Sequence, residues 1–227
     1  MRTYLVASLL LGIRMLSRLC LRYDARWVGT PTARPWDGIR VIALLNHTSL
    51  FEPVLAGAAP TRLLWQVARH GVLPVAKKTA GRPLVGRFYR LVAREVISIT
   101  RERDRTWANV LWRANDPEAL VVIAPEGRMK RTTGLDVAGA RMTIRGGIAD
   151  ILRGIPSGGL LLVYSGGLHH IQAPGQVLPR PFRRVRLKLE RLEIADYRRE
   201  LLQRAGEAGF KRAVIEDLTR RRDRYCS

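Results

Sequence analysis

Short apolar runs and helical stretches alternate along the middle of the chain. Aliphatic and β-branched runs occur at Val41–Leu45, Leu63–Val67, Val96–Ile99, Leu120–Ile123 and Leu160–Val163. Between them, Pro53–Ala58, Pro83–Val92, Thr106–Arg113 and Thr143–Arg153 have helical patterning. Apolar strands separated by helices predict an α/β fold, a single layered domain with a largely parallel sheet flanked by helices. Val185–Leu189 (VRLKL) alternates apolar and basic positions, which predicts a half-exposed edge strand. Residues 195–224 predict a strongly basic helix.

The N-terminus has a different pattern. Tyr4–Ile13 is apolar, and RMLSRLCLR follows it. Arg14, Arg18 and Arg22 recur every four residues and form one stripe on a helix. Two arginines near its centre make a spanning helix costly. An interfacial amphipathic helix fits, with leucines in the acyl boundary and arginines at anionic head groups. This divides the chain into a membrane-associating helix at residues 1–30 and one domain at 31–227. Two other readings stand beside it: a helix packed on its own domain, and a signal peptide, although no small-x-small cleavage site follows.

Composition narrows the function classes. The chain has 227 residues, 47% of them hydrophobic, enough to bury a core and too many for a disordered tail. No run of about 18 uncharged apolar residues occurs, which excludes a polytopic membrane protein. Cys20 and Cys226 lie near opposite ends and offer neither a disulfide framework nor metal-ligand spacing, so a reducing compartment is the default. The formal charge of +21 calls for a polyanionic partner: nucleic acid, an anionic membrane, or acidic substrates and carriers. The excess is spread over residues 1–40, 61–113 and 178–227, whereas 114–177 is nearly balanced.

Three motifs each follow an apolar run. NHTSLFEP begins after Leu45, Arg101 comes after Ile99, and PEGR begins after Ala124. In a parallel sheet all three lie at the carboxyl edge, where open α/β sheets bind ligands. His47 stands five residues before Glu52. A carboxylate on one ring nitrogen leaves the other as a base for a hydroxyl proton. Ser49-Leu50-Phe51-Glu52 is equally a capping box, which requires no catalysis. In Pro125-Glu126-Gly127-Arg128, glycine permits close backbone approach and arginine offers a fork to phosphate. The plain alternative is a solvated turn in which Glu126 pairs with a neighbouring Arg. Lys77, Lys78 and Arg87 either bind phosphate or coat a helix.

The order of these segments resembles the glycerolipid acyltransferase family, and within it the bacterial lysophosphatidate acyltransferases. The family's N-H-x-S-x-x-D is met by NHTSLFE, the arginine that closes its second motif by Arg101, and F-P-E-G-T-R by APEGRMKR. K-x-G-A is met loosely by Arg145-Gly146-Gly147-Ile148-Ala149. The match covers roughly residues 40–165. Glu52 replaces the family's Asp, no threonine separates Gly127 from Arg128, and GLLLVYSGGLHH meets the fourth motif poorly.

The resemblance implies a membrane-associated O-acyltransferase of phospholipid biosynthesis. It would move a fatty acyl group from acyl-CoA or acyl carrier protein to a lysophospholipid, lysophosphatidate by default. His47 would be the base and Glu52 its partner. Arg101, Glu126, Gly127 and Arg128 would hold the acceptor head group, with Arg131 a substitute for Arg128. Apolar runs between the motifs would line an acyl channel. No metal or cofactor is expected beyond the acyl donor as co-substrate, and the expected place is the cytoplasmic face of the cell membrane, peripheral or monotopic. His169 and His170 are expected to be loop residues. The rival readings are a catalytically silent lipid-binding relative and a basic nucleic-acid-binding protein.

Overall fold

All seven residues of Gly159–Ser165 are buried, so this strand is covered on both faces and belongs at the centre of a sheet. The computed structural model, which describes residues 1–49, 51–100, 105–172, 176 and 179–226, shows how the rest assembles around it. Helix α1 (Arg2–Cys20) leads into strands β1 (Arg22–Trp27) and β2 (Ile39–Leu45). A 3₁₀ helix (Glu52–Ala58), α2 (Thr61–His70), β3 (Gly71–Ala76), α3 (Lys77–Ala80) and α4 (Pro83–Val92) follow. Then come β4 (Glu95–Ile99), α5 (Thr106–Ala114), β5 (Leu120–Ile123), α6 (Gly147–Gly154), β6 (Gly159–Ser165), β7 (Arg184–Glu193) and α7 (Ile194–Tyr225).

The strands form one sheet in the order β1-β7-β6-β2-β5-β3-β4. Every pairing is parallel except β6 with β7. Alternate residues of β6 enter different cores. Leu160, Leu162 and Tyr164 pack with α5, α6 and α7 through Val110, Ile148, Ile151, Leu152, Phe210 and Leu218. Leu161 and Val163 face the 3₁₀ helix and α2 through Val54, Leu55 and Leu63. Each such fully buried aliphatic side chain contributes about 1.5–3 kcal/mol.

Three expectations are corrected. Leu63–Val67 is part of α2, because Leu63, Leu64, Val67 and Ala68 lie on one helical face while Arg62 and Arg69 lie off it. The strand comes next, at Gly71–Ala76, where Pro74 obscures it. Val185–Leu189 does alternate in burial, but β7 is paired on both sides; the edge is β1, inside the segment expected to be helical. Arg14 and Arg18 are not free on the helix surface but bond to the protein itself. Their Nε atoms donate to the Ala59 and Gly57 carbonyls at 3.0 and 2.8 Å, and Arg22 lies in β1.

Pro74 is tolerated for a local reason. β3 pairs with β5 only at Gly71 and Val72, and the two strands then diverge. The missing N–H of Pro74 falls where β3 has a neighbour only in β4. Beside the divergence lies a cavity of about 1520 Å³ whose lining includes Leu73, Pro74, Val75, Val122 and Ile123.

Candidate active site

The chain turns sharply where β2 ends. Asn46 has φ +66°, a left-handed conformation that asparagine tolerates better than most residues. Polar bonds hold the turn from three directions. Asn46 Nδ2 donates to the Ser165 carbonyl at 2.8 Å. The backbone N–H groups of Asn46 and His47 donate to Glu126 Oε1 and Oε2 at 3.1 and 2.7 Å. Lys130 donates its own N–H to the His47 carbonyl at 2.7 Å.

The His47 side chain is 16% exposed and projects from this turn into the cavity. Its Nδ1 lies 2.7 Å from Glu52 Oε1, although the ring N–H is not directed along that line. Nε2 has no partner among the described residues. Burial lowers the basicity of His47, but the Glu52 charge, its contact with the ring and the more distant Glu126 charge outweigh it, so the pKa is raised above 6.5. Ser49 does not form a capping box: its Oγ accepts the Phe51 N–H at 3.0 Å and donates to Gln172 Oε1 at 3.0 Å, and Glu52 faces His47.

Tyr89 of α4 also lines the cavity. Burial first, then the Glu52 charge, pushes its phenol well above 10, so it stays protonated. Nothing in its sequence context marks it, because RFYRLV looks like any helix face.

The third motif divides. Gly127, at φ +61°, lines the cavity, and the Arg145 side chain lies over it, 3.6 Å from where a Cβ would stand. Arg128 lines the cavity too, but its guanidinium is paired with Asp136, which is 2% exposed and also accepts the Ala138 and Ala140 N–H groups. Glu126 does not reach the cavity. It is 1% exposed, and both oxygens are occupied by the amides beside His47, so the expectation that it holds a head group is corrected: it anchors the turn. Arg131 does not line the cavity, and Arg101 lies outside the described residues. His169 and His170 sit in a turn, each with Nε2 on a backbone carbonyl.

Four other cations line the cavity: Lys77, Lys78, Arg82 and Arg145. None has an acidic partner among the described residues. The wall behind them is apolar, with Leu44, Leu55, Leu73, Val122 and Leu161 among its residues. An imidazole paired with a carboxylate, cations without acidic partners among the described residues, and an apolar cavity therefore meet at the carboxyl edge of β2 and β5. Among the described residues no three His, Cys, Asp or Glu side chains come together as metal ligands would.

A family model described as Acyltransferase matches residues 30–163. The fold is similar to the crystal structure of the 1-acyl-sn-glycerophosphate (LPA) acyltransferase, PlsC, from Thermotoga maritima. The TM-score is 0.52 at 14% identity, over 88% of this chain and 79% of that one, which establishes likeness of fold. No curated protein matches the sequence.

Proposed function

The chain belongs to the acyltransferase family, and from that premise we propose that it moves a fatty acyl group from acyl-CoA or acyl carrier protein to the hydroxyl of a lysophospholipid, lysophosphatidate by default. The observation that carries this reading is the His47–Glu52 pair, 2.7 Å apart at an apolar cavity of about 1520 Å³ whose lining includes unpaired cations.

In this mechanism His47 Nε2 takes the proton of the acceptor hydroxyl as its oxygen attacks the thioester carbonyl. Glu52 stabilises the imidazolium that forms. The tetrahedral intermediate collapses, the C–S bond breaks, and the departing sulfur takes the proton from Nε2, so His47 returns neutral. No acyl-enzyme is needed. Head-group phosphate is held by Arg145, Lys77, Lys78 and Arg82, because Arg128 is already paired with Asp136 and Glu126 is buried with both oxygens on backbone amides. The acyl chain lies along the apolar wall opened by the divergence of β3 from β5.

The acceptor arrives from a membrane. Helix α1 has the length and composition of a spanning helix, but Arg14 and Arg18 tie it along the protein, which favours an interfacial position. Its outer face shows Leu5, Met15, Leu16 and Leu19, and α4 adds Leu84, Phe88 and Leu91 at spacings of four and three. Neither residues 1–23 nor 53–94 contain an acid. This surface suits an anionic bilayer.

The head-group assignment is tested by steady-state kinetics with lysophosphatidate and with the monoacylglycerol that lacks the phosphate. Arg145→Met is expected to raise KM for lysophosphatidate about tenfold and leave monoacylglycerol unchanged, the loss of one charged hydrogen bond. Equal effects on both acceptors would remove Arg145 from the phosphate site.

A further inference from the structure

The last turn of α7 lies beneath the turn that carries His47, although it is far from the matched residues 30–163. α7 begins where the Ile194 N–H meets the Gly158 carbonyl, at the amino edge of β6. It ends with the Tyr225 ring 5.1 Å from that of Tyr164, near the carboxyl edge. Here Arg222 Nη1 comes within 3.5 Å of Glu126 Oε1 and donates to the Met142 carbonyl at 3.0 Å, while its other nitrogens meet Asp223. Arg222 is 12% exposed and Glu126 is 1% exposed. Neither lines the cavity.

We infer that Arg222 is a positioning residue for His47 and acts through Glu126: it offsets the buried carboxylate that holds the Asn46 and His47 amides. A buried anion stripped of its cation draws in water. That change loosens the two amide bonds, and with them the left-handed Asn46 turn from which the imidazole projects. Nucleophile and base need near-attack geometry, so small displacements are costly. Arg222 does not touch substrate. The same contact joins the charge of Glu126 to the charges that His47 feels. The cavity beside the imidazole is lined by Glu52 from the 3₁₀ helix, Tyr89 from α4, Lys77, Lys78 and Arg82 after β3, and Arg128, Arg145 and Asp150 beyond β5, while Glu126 lies behind the turn and Lys130 Nζ donates to Asn46 Oδ1 at 3.4 Å. Behind the turn lie His169, bonded to the Lys130 carbonyl, and the thiol of Cys226, pushed up to about 12 by burial and then by Glu126.

The inference rests on His47 being the base, and its test has an arm that needs no turnover. The chain has four histidines, so the His47 imidazole resonance is assigned by its loss in His47→Asn, and its titration is followed by NMR in the full-length protein. In Arg222→Met the titration should move upward by about 0.5–1 pH unit, because the Glu126 charge is less offset. kcat should fall about tenfold or more with KM within about threefold. Arg222→Lys should restore most of both. In the Glu126→Gln background, adding Arg222→Met should change kcat by less than about twofold and leave the titration in place, since the two act as one unit. Arg212→Met, an exposed position on the same helix, serves as the control. An unmoved His47 titration, or an equal loss in both backgrounds, would overturn the inference. If the wild type transfers no acyl group, the proposed activity fails, while the NMR arm still decides the role of Arg222.

Discussion

His47 and Glu52 set the pH response of the site. The base works only when neutral, and its pKa is raised above 6.5, so kcat/KM should fall as pH drops through that raised value. Glu52→Gln removes the main charge that opposes burial. The acid limb of the profile should then move below 6.5, and kcat should fall about 10²–10⁴-fold. A profile that does not shift would separate Glu52 from the base. The same pair stabilises the fold at pH below 6.5, where His47 is charged in both states, and that contribution is lost as pH rises through the raised value. Glu52→Asp, the residue implied by the family resemblance, should keep activity within about tenfold, because a carboxylate remains on the same ring nitrogen. The spacing of His47 and Glu52 admitted their pairing beside a capping box, and the bonds of Ser49 Oγ to Phe51 and Gln172 leave the pairing. The engagement of Glu126 and Arg128 was not legible. Motif order brings a carboxylate and an arginine to the right edge of the sheet, but only the fold shows that backbone amides and Asp136 already hold them.

Elements decide what the spacing leaves open. The alternation of apolar runs and helices conveyed a parallel sheet, and Val41–Leu45, Val96–Ile99, Leu120–Ile123 and Leu160–Val163 all lie in strands. The misread stretch, Leu63–Val67, is a helix face of five residues, too short for its period to be distinguished from a buried strand. β3 was hidden because Pro74 argues against an interior strand, and its partial divergence from β5 is a tertiary feature. β1 was hidden because RYDARW is mostly polar. It matters to the site through Tyr23, whose hydroxyl donates to the Val54 carbonyl at 2.7 Å within the 3₁₀ helix that carries Glu52. A Cβ on Gly57 would meet the Tyr23 ring at 2.2 Å. Gly57→Ala should therefore cost about 1–3 kcal/mol, measured as a drop in Tm, by forcing Tyr23 aside. An unchanged Tm would mean that β1 does not brace the 3₁₀ helix.

Across the whole molecule the charge of +21 is unevenly compensated. Most cations of α7 pair with acids of the fold itself. Arg221 bridges Glu190 and Asp217, Arg220 also meets Asp217, and Arg199, Arg204 and Arg212 pair along the helix. The acid-free segments 1–23 and 53–94 carry 12 Lys and Arg, of which only Arg62 meets a carboxylate, that of Asp37, among the described residues. Replacing Leu84, Phe88 and Leu91 together with Ser should weaken binding to anionic vesicles about tenfold or more, as read by sedimentation. Binding by the wild type should weaken with salt. Vesicle binding unaffected by the triple substitution would exclude α4 from the membrane face. The central claim joins this surface to the base behind it, and the most direct measurement is phosphatidate formed from acyl-CoA and lysophosphatidate on anionic vesicles by the wild type and by His47→Gln. The account predicts product from the wild type and a loss of about 10³-fold or more in the variant; a variant that stays within about tenfold of the wild type would contradict it.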